Sequence, residues 1–236
     1  MTKNSILLVL MLTLNAFVFS QEPAIESTSD KLIFDVKVNK MMGNGPTGAS
    51  LDLKKVKGSP YLNNDFEDGQ VYINSKVKSL GYRLRYNIYT DEFEIFNSEK
   101  NKIVALFKTS DYICKIKGVT YKYFSYTDVN ANEKDGYFVE LLTAKIPLYL
   151  KYRSVYHPAQ PSDNPLSYDK PASFSTSKDY YLLKDGKMQL LPTKKSKFFP
   201  VFGQNQNKIK QFVKKNKLKI SKEKDLIKIV QYYNTL

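Results

Sequence analysis

The sequence predicts an α+β protein: an antiparallel β-meander, as a curved sheet or half-barrel, followed by a small C-terminal helical subdomain packed on it. Three observations carry that expectation. From Gly58 to about Tyr156, apolar and polar residues alternate in short runs split by turn residues, with no helical period between them. The 18 tyrosines and 14 phenylalanines concentrate in those runs, as side chains suited to a pleated, half-buried surface should. Residues 192–236 then change to a helical period and become rich in lysine.

Taken in order, residues 1–20 read as a cleavable export signal. Lys3 supplies the positive n-region, Ile6 to Phe19 is apolar but for Thr13 and Asn15, and Val18 and Ser20 suit the −3 and −1 positions. The apolar run is shorter than the ~20 residues that span a bilayer. The expected mature chain starts at Gln21, keeps no transmembrane segment, and resides in the periplasm or on the periplasmic face of the outer membrane. Residues 21–58 form an arm with one alternating stretch, Leu32-Ile-Phe-Asp-Val-Lys-Val, and a Gly-rich loop from Gly43 to Gly48.

Residues 59–156 are the meander. Tyr82, Leu84, Tyr86 and Ile88 share one strand face, and Arg83, Arg85 and Asn87 share the other. Further strands are predicted over 102–107, 119–126, 136–142 and 146–155. Tyr82 and Tyr86, with Tyr121 and Tyr123, form an aromatic sheet face, read either as a cross-strand core ladder or as an exposed surface for a partner. Residues 157–179 hold prolines at 158, 161, 165 and 171 and read as an extended connector. Residues 180–191 read as a hairpin turning at Asp185-Gly186.

The lysine-rich helical subdomain covers 192–236. A short turn around Lys194 to Phe199 is expected to stop at Pro200 and Gly203. Ile209, Phe212 and Val213 form one apolar stripe; Leu226, Ile229, Val230 and Tyr233 form a second, with Ser221 placed to cap its helix. The formal net charge is +14, and this region holds most of the excess, with only Glu223 and Asp225 against its lysines. An anionic partner meeting this end is the natural expectation. Lys208, Lys210, Lys214, Lys215, Lys217 and Lys219 are the candidate binding residues, the alternative being a merely solvated face.

Catalytic patterns are weak. Gly43-Asn-Gly-Pro-Thr-Gly-Ala-Ser50 has phosphate-loop glycine spacing but Ala49 where the lysine belongs. Asp128-Val-Asn-Ala-Asn132 supplies oxygens at positions 1, 3 and 5 of a calcium loop. Glu133 replaces the required glycine and Val139 the bidentate glutamate, so the stretch reads as a polar turn. His157 is the only histidine and Cys114 the only cysteine, so no His/Cys metal cluster, cofactor site or disulfide framework is expected. Cys114 alternates as a half-buried strand residue. Asp91, Glu92 and Glu94 are the densest carboxylates; Asp91-Glu92 reads as a hairpin turn and Glu94 points outward. Arg83, Arg85 and Arg153 are the only arginines, too few for base reading or phosphate clamping, and no nucleic-acid partner is expected. An outer-membrane barrel fits poorly, because charged residues interrupt the outward strand faces and the chain is helical after the strands.

Gly58-Ser-Pro-Tyr-Leu-Asn-Asn-Asp-Phe66, Gly69-Gln-Val-Tyr72 and Leu84-Arg-Tyr-Asn-Ile-Tyr-Thr-Asp-Glu-Phe-Glu94, with the ending Lys214-Lys-Asn-Lys-Leu218 through Glu223-Lys-Asp-Leu-Ile to Tyr232-Tyr-Asn, resemble a family of uncharacterised exported proteins of gram-negative Bacteroidota bacteria. The resemblance runs from about residue 58 onward. It implies a periplasmic or outer-membrane-associated setting and brings no catalytic residues. The combined expectation is a non-catalytic envelope binding or scaffold protein whose basic helices dock an anionic protein or envelope surface. The alternatives are an adaptor that uses an exposed aromatic sheet face and a carboxylate-dependent periplasmic hydrolase.

Overall fold

The computed structural model describes residues 33–35, 53–73, 80–97, 101–162 and 169–236. The predicted export signal, most of the N-terminal arm with its Gly-rich loop, and residues 163–168 of the connector lie outside the described residues.

The described strands are β1 (Ile33–Asp35), β2 (Glu67–Ile73), β3 (Leu80–Asn87), β4 (Glu92–Asn97), β5 (Lys102–Leu106), β6 (Tyr112–Ile116), β7 (Val119–Thr127), β8 (Glu133–Leu142), β9 (Leu148–His157), β10 (Ser173–Lys184) and β11 (Lys187–Leu191). One helical turn, α1 (Lys195–Phe198), runs into a 3-10 stretch (Phe199–Asn205), followed by α2 (Gln206–Lys215) and α3 (Glu223–Tyr233).

All eleven strands belong to one sheet, in the order β1-β5-β4-β3-β2-β6-β7-β11-β10-β9-β8, with β7 also paired to β8. Because β7 thus pairs with both β8 and β11, strands β7 to β11 form a closed five-stranded barrel. Neighbours around it are antiparallel, whereas the closing pair, at Met188↔Tyr126, is parallel. An odd number of alternating strands requires this, since the first and last must run the same way. The expected open, curved meander is corrected here. Closure depends on a long-range pairing of the short β11 with β7, for which no local pattern exists.

A barrel this small has room only for side chains. Tyr126, Phe138, Tyr149, Tyr181 and Met188, one from each strand, fill it. Their rings meet edge to face: Tyr126 and Phe138 at 5.0 Å, Phe138 and Tyr181 at 5.2 Å, Tyr126 and Tyr181 at 5.6 Å between centroids. That geometry sets the positive ring edge against the negative face.

The strands from β6 outward curl over the barrel wall. Val71, Leu84, Tyr86, Phe93, Ile95 and Cys114 bury their side chains with Tyr121 and Tyr137 of that wall. Phe93 lies edge-on to Tyr121 at 5.1 Å and to Tyr137 at 4.8 Å. The helices cover Leu148, Leu150, Tyr180, Leu182 and Leu191 with Phe198, Phe202, Ile209, Leu226, Ile229 and Val230. The barrel is thus enclosed by sheet on one flank and by helices on another. No helix among the described residues is long and apolar enough to cross a membrane.

Several local expectations change. β10 begins at Ser173, inside the predicted connector, and pairs with β9 from Ser173↔His157 to Leu182↔Leu148. Its first half, Ser173-Phe-Ser-Thr-Ser-Lys-Asp, is mostly exposed, so the backbone ladder rather than apolar alternation makes it a strand. Pro200 does not stop the chain. It occupies the first turn of the 3-10 stretch, where no backbone donor is needed, and the reversal falls at Gly203 (φ 54°). Ser221 does not cap α3; Lys222 holds the cap position without a side-chain bond, and Asp225 instead accepts a bond from the Lys219 backbone N–H at 2.9 Å. Glu94 points outward as expected yet is buried, because residues 60–66 fold over that face. The Arg85 guanidinium lies 3.7 Å from the Tyr61 ring centroid and 4.3 Å from that of Phe66.

Candidate functional site

Between α1 with the start of the 3-10 stretch, on one side, and α2 with the turn after it, on the other, lies an open groove of about 1160 Å³. Its floor is Phe199, Pro200, Val213 and Leu218; Lys194, Lys195, Lys210, Lys214, Lys217 and Lys219 form its rim. The helical period puts Lys210 and Lys214 on one side of α2, next to Val213, and Lys217 follows in the turn after it. Lys217 (φ 51°) turns the chain back so that Leu218 and Lys219 complete the far wall. The Lys210 ammonium lies 5.7 Å from the Phe199 ring centroid, and the lysine stems extend the apolar floor. Among the described residues, none of these six lysines makes an ion pair. The rim is a concentration of uncompensated positive charge around apolar surface.

Of the six lysines singled out in the sequence, Lys210, Lys214, Lys217 and Lys219 line the groove. Lys208 and Lys215 are exposed on α2 outside it. Lys194 and Lys195 were missed as site residues, although a lysine pair just before Phe198-Phe199-Pro200 was a visible signal.

The aromatic face resolves as core. Tyr86 and Tyr121 are buried, and Tyr82 and Tyr123 are half-buried against the same cluster. Tyr86 stacks on Phe93 at 5.0 Å, and Tyr123 meets Tyr137 edge-on at 5.0 Å. Burial pushes the Tyr86 and Tyr121 hydroxyl pKa values well up, with Asp91 adding to the effect at Tyr86. Tyr86 and Tyr121 thus help hold the barrel to the outer sheet, whereas Tyr82 is half-buried and lines a separate open pocket with Arg83 and Lys115.

The three clustered carboxylates diverge onto three cations. Asp91 binds Lys151 (2.5 Å), Glu92 lies 3.3 Å from Lys108, and Glu94 pairs with Arg85 (2.5 Å) while accepting from Asn87 Nδ2 (3.1 Å). The Asp91–Lys151 pair stops one mouth of the barrel. Lys151 points inward from β9, its ammonium 5.3 Å from the Phe138 ring centroid and 5.6 Å from that of Tyr126, and donates to the Tyr137 carbonyl at 2.9 Å. Asp91 reaches over from the β3–β4 turn and accepts from the Tyr86 hydroxyl (2.5 Å) and the Tyr137 N–H (3.3 Å). Gly136 makes the pair fit, since a β-carbon there would overlap both Asp91 Oδ2 and Lys151 Nζ. Burial lowers the Lys151 pKa, and the Asp91 charge opposes that shift. The sequence hinted at this pair only through a lysine on the inward face beside Tyr149.

The calcium-like stretch is a closed turn. Asp128 Oδ1 accepts the backbone N–H groups of Asn130 (2.8 Å) and Asn132 (3.0 Å), and Oδ2 pairs with Lys134 at 2.7 Å. The Lys134 partner and those N–H groups hold the Asp128 carboxyl well below its usual range. His157 ends β9, 2.7 Å from Ser175 Oγ, and Cys114 is buried with its thiol pKa pushed up by desolvation. Among the described residues, no three His, Cys, Asp or Glu side chains gather as a metal site. Comparisons of the chain with family models, with curated proteins and with solved structures find no match in any of the three.

Proposed function

We propose that this is an exported, non-catalytic binding or scaffold protein of the bacterial cell envelope, which docks an anionic partner at the lysine-rimmed groove. The observation that carries the reading is the rim itself: six lysines without ion-pair partners among the described residues, enclosing an apolar floor. Like charges grouped around one groove repel one another, and an anionic ligand would relieve that repulsion. The export pattern in residues 1–20 and the Bacteroidota resemblance supply the compartment. The burial of Tyr86 and Tyr121 weighs against an adaptor working through an aromatic face, and the separate cations on Asp91, Glu92 and Glu94 give a hydrolase reading no support.

Two variants of equal net charge test the docking. Lys214→Glu/Lys217→Glu reverses charge on the rim, and Lys208→Glu/Lys215→Glu reverses it on α2 outside the groove. With fluorescent poly-glutamate as probe, affinity should fall with added salt, and the rim variant should lose about tenfold, ~1.4 kcal/mol, relative to the other. Equal losses in both variants would mean that net charge, and not the groove, attracts the probe.

A further inference from the structure

We infer that the groove's partner is a protein segment with a protruding apolar ridge flanked by carboxylates, an acidic amphipathic helix, and not a lipid surface. This rests on the docking role proposed above and names its ligand class. The decisive feature is that the apolar surface is recessed. Phe199 is buried and Val213 and Leu218 are half-buried among exposed lysines, and of the four floor residues Pro200 alone is exposed. Binding at a membrane interface needs apolar side chains that project into the acyl region. Among the described large apolar side chains, Leu236 is the only exposed one in the helical subdomain; the other exposed ones (Tyr89, Phe107, Val119, Val129 and Val155) lie elsewhere. A flat anionic bilayer would touch lysine tips and leave the floor empty.

A convex ridge fills what a flat surface cannot. The groove is open and, at about 1160 Å³, larger than one headgroup phosphate requires, which suits the helix-in-groove mode of recognition. Its charges stand on both walls, with Lys194 and Lys195 across from Lys210 and Lys214, so acidic residues on either flank of an apolar stripe would each meet a cation. The cations are all lysines, mobile point charges suited to dispersed carboxylates, where a phosphate clamp favours the planar fork of arginine.

The test uses the mature chain and three probes: a short peptide with leucines at i, i+3, i+4 and i+7 flanked by glutamates, poly-glutamate of the same charge, and phosphatidylglycerol vesicles. The inference expects the amphipathic peptide to bind at least about tenfold more tightly than poly-glutamate, because burial of one apolar side chain is worth that much, with vesicles weakest. Val213→Ser should remove that advantage and leave poly-glutamate binding unchanged; Leu218→Ser reads the same floor from the turn if the helix variant folds poorly. Equal affinity for peptide and poly-glutamate overturns the apolar ridge but leaves the anionic dock standing. Preference for vesicles overturns the choice of a protein partner. Failure of all three to bind removes the docking role itself.

Discussion

Lys151 and Asp91 show how one buried contact joins parts of the chain sixty positions apart. The lysine is almost wholly buried, so its charge persists only because Asp91 and the Tyr137 carbonyl face it. Asp91→Asn should cost about 3 kcal/mol, the scale for stranding a buried charge. Lys151→Met should cost less, because Asp91 keeps the Tyr86 hydroxyl, the Tyr137 N–H and some solvent. The double variant should be clearly more stable than the two losses added together, as read by a double-mutant cycle in urea. The sign with pH is also fixed. Lys151 has its folded pKa below its unfolded one, more so without Asp91, so the unfolded chain binds more protons and Asp91→Asn should gain stability as pH rises toward ~10.4. Additive losses, or a flat pH response in Asp91→Asn, would mean the pair is not coupled.

The helices are secured to the sheet by few polar contacts, and Asn234 makes the most specific of them. Its side chain accepts from the Ile146 N–H at 2.7 Å and donates to the Ile146 carbonyl at 3.0 Å and the Val230 carbonyl at 2.8 Å, so it both ends α3 and bonds it to the β8–β9 loop. Asn234→Ala leaves those backbone groups part-buried without their partner, and ~1–3 kcal/mol should be lost. Hydrogen exchange should quicken in α3 before it does in the barrel strands; uniform quickening would show that the helices and barrel open only together. Individual elements were largely legible: most strands appear where alternation placed them, the first half of β10 excepted, and both long helices follow their apolar stripes. The rest turned on relations between elements. Lys208 and Lys215 lie seven residues apart on one side of α2, opposite Lys210 and Lys214. Helical period thus already divided the candidate lysines of α2, but only the packing of α1 and the 3-10 stretch against one side showed which set borders a groove. Closure of the barrel and the reach of Asp91 to Lys151 depend on contacts distant in sequence, which periodicity does not encode.

With one cysteine and no disulfide to help it, the fold depends on aromatic packing inside and outside a single small barrel. Rings of Tyr126, Phe138, Tyr149 and Tyr181 fill the inside, and Tyr86, Phe93, Tyr121 and Tyr137 pin the outer sheet to the wall. This makes stability sensitive to alkali. Burial raises the hydroxyl pKa of Tyr126 to about 12 and pushes those of Tyr86, Tyr121, Tyr137, Tyr149 and Tyr181 higher than the ordinary value of ~10. The folded state therefore holds these protons after the unfolded chain would have released them. Their contribution is intact below pH ~10 and is lost as pH climbs through the folded values, because each added unit favours the ionised, unfolded form. Absorbance at the tyrosinate band should rise in two stages: exposed tyrosines near pH 10, then the buried set abruptly and together with loss of near-ultraviolet circular dichroism. Urea midpoints should decline steeply over the same interval. If all the tyrosines titrate as one smooth wave near pH 10 while the dichroism persists, the rings are reached by solvent and the barrel is not closed around them.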